Sequence, residues 1–451
     1  MNNQTKDGIY NVKELGTGKT IVLGLQHMFA MFGATVLVPL LTGLDVSTTL
    51  LFAGLGTLLF HLLTKGKVPA FLGSSFAFLG GYGAIAPLLK DGSSNIEMIP
   101  YACFGVACAG LLYLVLAALI KLFSAGKIMK FFPPIVTGPI IIAIGLTLSQ
   151  SAINSCTSNW GVALVAIVVV ILCNIFGKGM IKIIPILIGV VASYIVGIIA
   201  GEVDFSGVAS AAWIGLPINK DATVLGLFNN LDASKLITAI ITIKPIALAT
   251  IVEHIGDISA ISSTTGKNYI KEPGLHRTLL GDGLATIVAS LFGAPANTTY
   301  GENTGVLNLS KVYDPFVVRL AAYFAILFSF CPKFAAIIQA MPTATVGGIS
   351  LILYGMISAV GVRNIVENQV DFTKSRNVII AALILVLSIG IKYNGTGDIA
   401  FQLGQITISL SGLAVGALTG IILNAILPGK DYTFENEEPQ YTGVNFLVGD
   451  R

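Results

Sequence analysis

Residues 69–76 read Pro69-Ala70-Phe71-Leu72-Gly73-Ser74-Ser75-Phe76, and residues 295–302 read Pro295-Ala296-Asn297-Thr298-Thr299-Tyr300-Gly301-Glu302. Both stretches lie among apolar runs, and both mix Pro, Gly and hydroxyl side chains that interrupt a helix. A short helical half is expected after each. The two prolines stand 226 residues apart. A second echo has almost the same offset, since Gln26-His27 and Glu253-His254 are 227 apart. A looser one relates Pro133 and Gly138 to Pro342 and Gly347 at offset 209. These echoes point to a duplicated unit. Interrupted backbone at membrane depth survives only where protein buries it or a cavity wets it. Two interruptions in matching positions therefore mark the expected ligand site. The competing reading is a pair of re-entrant packing elements that hold no ligand.

Composition supplies the membrane. The 451 residues are 54% hydrophobic and only 11% charged, and mean hydropathy is +0.85. A soluble domain carries about a quarter charged residues, so most of this surface must face lipid. Apolar runs of about 20 residues, each long enough to cross the bilayer as a helix, recur from Ile21 to Leu427. We read fourteen segments, the third near 69–89, the eighth near 233–260, the tenth near 296–311 and the last near 403–427. The first 20 residues show no signal-peptide core, so the first span is expected to insert and stay. Residues 204–232 form the longest outer connection, and 428–451 form a partly acidic tail.

Lysine and arginine are in excess in cytoplasmic loops. With both termini inside, 20 of the 26 fall on the inner side and 6 on the outer. That bias supports an even number of spans in the cell membrane. Seven segments per unit is odd, so the second copy enters from the opposite side. The expected fold is thus all-α and polytopic, with fourteen segments as two inverted repeats and extended pieces in segments three and ten. The net charge of +3 includes no basic cluster of the kind a nucleic-acid groove needs. Cys103, Cys108, Cys156, Cys173 and Cys331 show no metal spacing. No cofactor is expected beyond a coupling proton.

Charge at bilayer depth is costly, which makes each such residue a functional candidate. Glu253 lies nine residues past Lys244, about 13 Å along a helix and near the midplane. Asp257 is four residues later on the same face. Segment ten supplies Glu302 just after its interruption. Burial and mutual repulsion disfavour three charged carboxylates in one cavity. Glu253, Asp257 and Glu302 are therefore the candidates for exchanging a proton, against a purely structural polar network as the alternative. His254 follows Glu253 directly and faces away from it, as a packing or helix-contact residue. Gln26 holds the repeat position of Glu253 and is placed to support the ligand or the interrupted segment. Asp282 and Arg319 read as local pairing groups near the inner ends. Buried carboxylates accept N–H bonds, and backbone N–H groups at half-helix starts donate to oxygen. Phe76, Tyr300 and Tyr354 are aromatics for a flat ring. A small planar molecule with alternating N–H and C=O edges fits this set, as a nucleobase does. An inorganic anion would be repelled.

At these residues the chain resembles the nucleobase-ascorbate transporters, or nucleobase:cation symporters, with the bacterial uracil permeases as the nearest group. The likeness covers almost the whole chain. It rests on LQHMFAMFGATVLVP (25–39), PAFLGSSFAF (69–78), IVEHIGD (251–257), EPGLHR (272–277), NTTYGENTGV (297–306) and GGISLILYG (347–355). It implies a core domain (21–123 and 233–332) beside a gate domain (131–203 and 342–427). It implies that Glu253 and Glu302 accept uracil N–H groups. The backbone amides of Phe76 and Gly301 would meet the carbonyls, with Ser75 and Tyr300 beside them, Tyr354 on the gate side and Asn303 in support. It further implies proton symport by alternating access, and a homodimer. The chain departs from the pattern at Ser310, where the signature has Thr, and at Asp257, where some uracil permeases carry His. An acid at 302, where many purine carriers have Gln, favours a pyrimidine. A purine carrier of the same family is the near alternative, with an anion carrier of similar fold or a channel further off. No HExxH, GxSxG or Walker motif suggests an enzyme.

Overall fold

The computed structural model describes residues 8–430 apart from 91, 229–230, 395–396 and 404–405. The side chains of 302, 403 and 406–408 also lie outside the described residues. Seven described helices are long and apolar enough to cross a membrane. They are α1 (Thr17–Thr42), α2 (Val46–Leu63), α4 (Ile99–Phe123), α5 (Pro134–Cys156), α8 (Ala233–Thr265), α12 (Thr343–Glu367) and α13 (Ser375–Lys392). An eighth candidate is α11 (Pro315–Ser329) with the helix Pro332–Gln339, bent by 89°. Shorter apolar helices are α3 (Phe76–Ile85), α6 (Trp160–Phe176), α7 (Pro185–Ile199) and α14 (Gly412–Ile426). The helices α9 (Leu275–Leu291) and α10 (Gly301–Ser310) complete the set used below.

Local chemistry sets the helix ends. The Asp45 carboxylate caps α2 by accepting from Thr48 N at 2.6 Å, and Asp232 caps α8 at Ser234 and Lys235. Pro134, Pro185 and Pro315 occupy first-turn positions, where a missing N–H costs nothing. Gly43 and Gly266 end α1 and α8 in the left-handed conformation. Glycines then let helices approach closely. The best example is α5 on α12, where a Cβ at Gly361 would lie 2.6 Å from Gly138 O. Across α4 and α9, a Cβ at Gly110 would lie 3.0 Å from Gly283 O, and the reverse distance is also 3.0 Å. Helices α1, α2, α4, α9 and α11 pack on one another, and so do α5, α6, α7, α12, α13 and α14.

Both interrupted stretches are extended and meet each other. Strand β1 (Leu72–Ser74) pairs antiparallel with β2 (Asn297–Thr299), with Gly73 opposite Thr298. The pairing is prolonged at both ends, by Ser75 N donating to Ala296 O at 2.8 Å and Tyr300 N to Phe71 O at 3.2 Å. Side chains take up remaining backbone groups. Thr57 Oγ1 bonds both Leu72 N and Leu72 O, and Thr286 Oγ1 donates to Asn297 O. Asn303 Nδ2 donates to Pro69 O, and Tyr300 OH to Ser74 O. Buried protein thus supplies the partners that lipid cannot.

One stretch differs from the sequence expectation. Residues 403–427 do not form one helix. A hairpin of β3 (Asp398–Leu403) and β4 (Ile406–Ser411) precedes α14, which begins at Gly412. The run Ile406-Thr407-Ile408-Ser409-Leu410-Ser411 alternates with period two and opens on β-branched residues, which suits a strand. The hairpin packs against the N-terminal part of α8, residues Ala233–Ile243.

The N-terminal segment is fastened to the site-bearing helices at their far ends. Ile9 bridges Val312, with Ile9 N donating to Lys311 O and Tyr313 N to Ile9 O, both at 2.8 Å. Tyr10 OH donates to Thr265 O at the end of α8, and Val12 N donates to Asp314 Oδ2. Asp314 also caps α11 through Phe316 N. Asp314→Ala is expected to cost about 1–2 kcal/mol and to release residues 8–14. Limited proteolysis with N-terminal sequencing checks this, and unchanged cleavage rates would refute the clasp.

Candidate functional site

A cavity of about 290 Å³ lies where the two half-helices meet. Its floor comes from α8, which contributes Glu253 and Asp257, and its end wall from Thr298, Thr299, Tyr300 and Gly301. Phe76 and Met31 close one side, and Met356, Ile357 and Val360 of α12 the other. Lys182 and Arg363 line it further out. The cavity therefore lies between the two sets of packed helices and reaches the side that carries those two cations.

Several expected residues converge here. Glu253 is half-buried and Asp257 is 4% exposed. They face the same way because they are one helical turn apart. Asp257 lies against the start of α10, since a Cβ at Gly301 would come within 2.9 Å of Asp257 Oδ1. A side chain at 301 would press on that carboxylate. Phe76 lies at the start of its half-helix and forms part of the wall. Glu302 belongs to the first turn of α10 by its backbone, and its side chain lies outside the described residues.

Other expected residues stand behind the wall. Tyr354 is 2% exposed and meets Phe76 edge to face, with ring centroids 5.6 Å apart at 80°. It does not line the cavity and instead holds Phe76 from the α12 side. Ser75 is fully buried, and its Oγ has no hydrogen-bond partner among the described residues. Tyr300 touches the cavity, but its hydroxyl is tied to Ser74 O at 3.1 Å and Thr35 Oγ1 at 3.4 Å. It anchors one interrupted segment to the other. Gln26 is buried outside the cavity lining, with no partner for Nε2 among the described residues. Asn303 bonds Pro69 O at 2.6 Å and His27 Nδ1 at 3.3 Å, so it joins α10 to the entry of the other broken segment.

His254 does face away from the cavity. Its Nδ1 is 3.1 Å from Thr299 Oγ1 and 2.9 Å from Asp282 Oδ2. Both His254 and Asp282 are completely buried. Sequence reasoning left Asp282 as a local pairing group and did not single out Thr299. Asp282 carried no spacing signal, because its partner is on another helix 28 residues away in sequence.

The comparisons with known proteins agree with this architecture. A family model named Xan_ur_permease, described as "Permease family", matches residues 18–395. The chain belongs to this permease family. The resemblance to the nucleobase-ascorbate transporters is therefore borne out. The permease is 41% identical over 431 residues to a uracil permease of Bacillus caldolyticus, covering 93% of this chain and 94% of that one. It is 37% identical to the putative pyrimidine permease RutG of Escherichia coli (strain K12), covering 94% and 93%. Among solved structures, it is similar to the transmembrane domain of the cyanobacterial bicarbonate transporter BicA. The TM-score there is 0.61 at 16% identity, over 93% of this chain and 99% of that one. SLC26A9 gives 0.62 at 12% identity, over 92% and 66%. At such identities those two likenesses concern the fold alone. This permease is a multi-pass membrane transporter, not an enzyme.

Proposed function

We propose that this permease imports uracil together with a proton. The observation that carries the reading is the cavity between the half-helices, where Glu253 and Asp257 face the start of α10. A planar base with N–H and C=O groups along its edge needs carboxylate acceptors and amide donors in one plane. Glu253 supplies an acceptor, and the first turns of the half-helices after Ser75 and Tyr300 supply N–H donors. Phe76, held by Tyr354, gives the base an aromatic face. Glu302 completes the acceptor set on the strength of the family resemblance. The relatives named for uracil and pyrimidine transport support the same substrate class.

Fourteen segments in two inverted repeats, both termini cytoplasmic, is the arrangement we propose for the plasma membrane. The crossed pair β1–β2 supports it, as does the matching use of Thr57 and Thr286 to hold the two strands. Core and gate domains correspond to the two sets of packed helices. Because the cavity is walled by both, rocking one set against the other would expose it to each side in turn.

Proteoliposomes test the proposal directly. Radiolabelled uracil is expected to accumulate when an inward proton gradient is imposed. Unlabelled uracil and 5-fluorouracil should compete, and xanthine and hypoxanthine should not. Accumulation of xanthine in preference to uracil would overturn the substrate assignment. Phe76→Ala is expected to weaken uracil binding by about 1–3 kcal/mol, roughly 5- to 150-fold, because base stacking on an aromatic is worth that much. Equilibrium binding of labelled uracil measures it.

A further inference from the structure

From the cavity wall a short polar chain runs inward to His254 and Asp282, which lie behind it. Asp257 lines the cavity, and its Oδ2 accepts from Thr299 Oγ1 at 3.4 Å. Thr299 Oγ1 is 3.1 Å from His254 Nδ1, and His254 Nδ1 is 2.9 Å from Asp282 Oδ2. The chain thus passes from α8 to β2, back to α8 and on to α9. Asp282 Oδ1 and Nε2 of His254 lack a hydrogen-bond partner among the described residues, and Asp282 Oδ2 meets the imidazole. A fully buried carboxylate whose ion-pair partner among the described residues is one imidazole calls for an explanation. Packing alone would be served better by apolar side chains.

We infer that His254 and Asp282 hold a proton behind the cavity, and that Thr299 passes it to and from Asp257. The inference rests on the proton-coupled reading above. In one state His254 is an imidazolium beside the Asp282 carboxylate, and Asp257 is a carboxylate. Thr299 then accepts from Nδ1–H and donates to Asp257. In the other state the Nδ1 proton has moved to Thr299 Oγ1 as the hydroxyl proton of Thr299 moved to Asp257. His254 and Asp257 are then both neutral, and Asp282 keeps its charge throughout. One proton has changed place and none is created. A single hydroxyl with one acceptor and one donor face suits this exchange, and Thr299 stands where both faces are used. Facing groups that titrate are Glu253 on the same helix and Tyr113 on α4, which feels Asp282, Glu253 and Asp257. Glu302 follows on α10, with its side chain outside the described residues.

The test separates exchange from proton-driven uptake in proteoliposomes. Uracil exchange across the membrane with no net flux needs binding and alternation but no proton release. Accumulation against a gradient needs both. Thr299→Val keeps the shape and removes the hydroxyl. Proton-driven accumulation is expected to fall roughly tenfold or more, and by a larger factor than exchange does. Thr299→Ser should recover accumulation. Asp282→Asn removes the counter-charge of the imidazolium, and should displace the pH dependence of accumulation by about one unit. Parental accumulation in Thr299→Val with an unmoved pH profile in Asp282→Asn would overturn the inference. So would a Thr299→Ser protein as defective as Thr299→Val, since that indicates packing. If Thr299→Val does not fold, the Asp282→Asn profile and the Thr299→Ser protein decide. A parent protein that exchanges uracil but ignores an imposed proton gradient would overturn the coupled reading itself, and this inference with it.

Discussion

Glu253→Gln is expected to weaken uracil binding roughly 30-fold or more, because a neutral amide replaces a charged acceptor worth about 2 kcal/mol more to an N–H donor. The amide also offers a donor edge toward the substrate N–H, which raises the loss if the side chain turns. Fold and packing should be spared, since Gln matches Glu in size and the position is half-buried at the cavity edge. Titration of purified protein with labelled uracil measures the effect. Affinity within about threefold of the parent, on the same energy scale, would remove Glu253 from the proposed site. Asp257→Asn makes a useful comparison. In the scheme above Asp257 receives the proton, so accumulation should suffer more than binding.

Gly145→Val is expected to prevent α5 and α12 from packing. Even a single Cβ at Gly145 would lie 2.2 Å from Tyr354 O and 2.2 Å from Ser358 Oγ. The hydroxyl can rotate away, but the carbonyl belongs to a helix backbone and cannot. Overpacking of this kind costs about 1–3 kcal/mol even where neighbours can give. The helices must separate, and α12 carries Tyr354, which holds Phe76 at the cavity. We expect the melting temperature in detergent to fall by roughly 5 °C or more, with uptake lost. Gly355→Ala on the same helix is the control, because nothing lies within 4 Å of its Cβ position. A Gly145→Val protein as stable as the Gly355→Ala protein would show that the close approach is not needed.

The two interrupted stretches were legible because Pro-Ala recurs at an offset of 226 and each apolar run is broken by Pro, Gly and hydroxyls. Glu253 and Asp257 were legible because a charge at bilayer depth has few innocent explanations. The strand Ile406–Ser411 was hidden because it falls inside the apolar segment expected at 403–427. Its period-two alternation is short, and six residues of it do not outweigh the apolar run that follows. Tyr354 was expected to face a ligand, yet it packs on Phe76. An aromatic beside a site looks the same in sequence whether it touches the ligand or props up the residue that does.

A one-dimensional string carries periodicity, composition and spacing, and those suffice for a membrane transporter with paired broken segments and acids on one helix face. They suffice because helix pitch and the energetics of lipid act on neighbours along the chain. The pairing of Leu72 with Thr299, the backing of Phe76 by Tyr354 and the burial of Asp282 against His254 arise from contacts between residues far apart in the chain. No local rule ranks such partners, because each is chosen only when whole helices pack and every polar group left in the interior must find a neighbour.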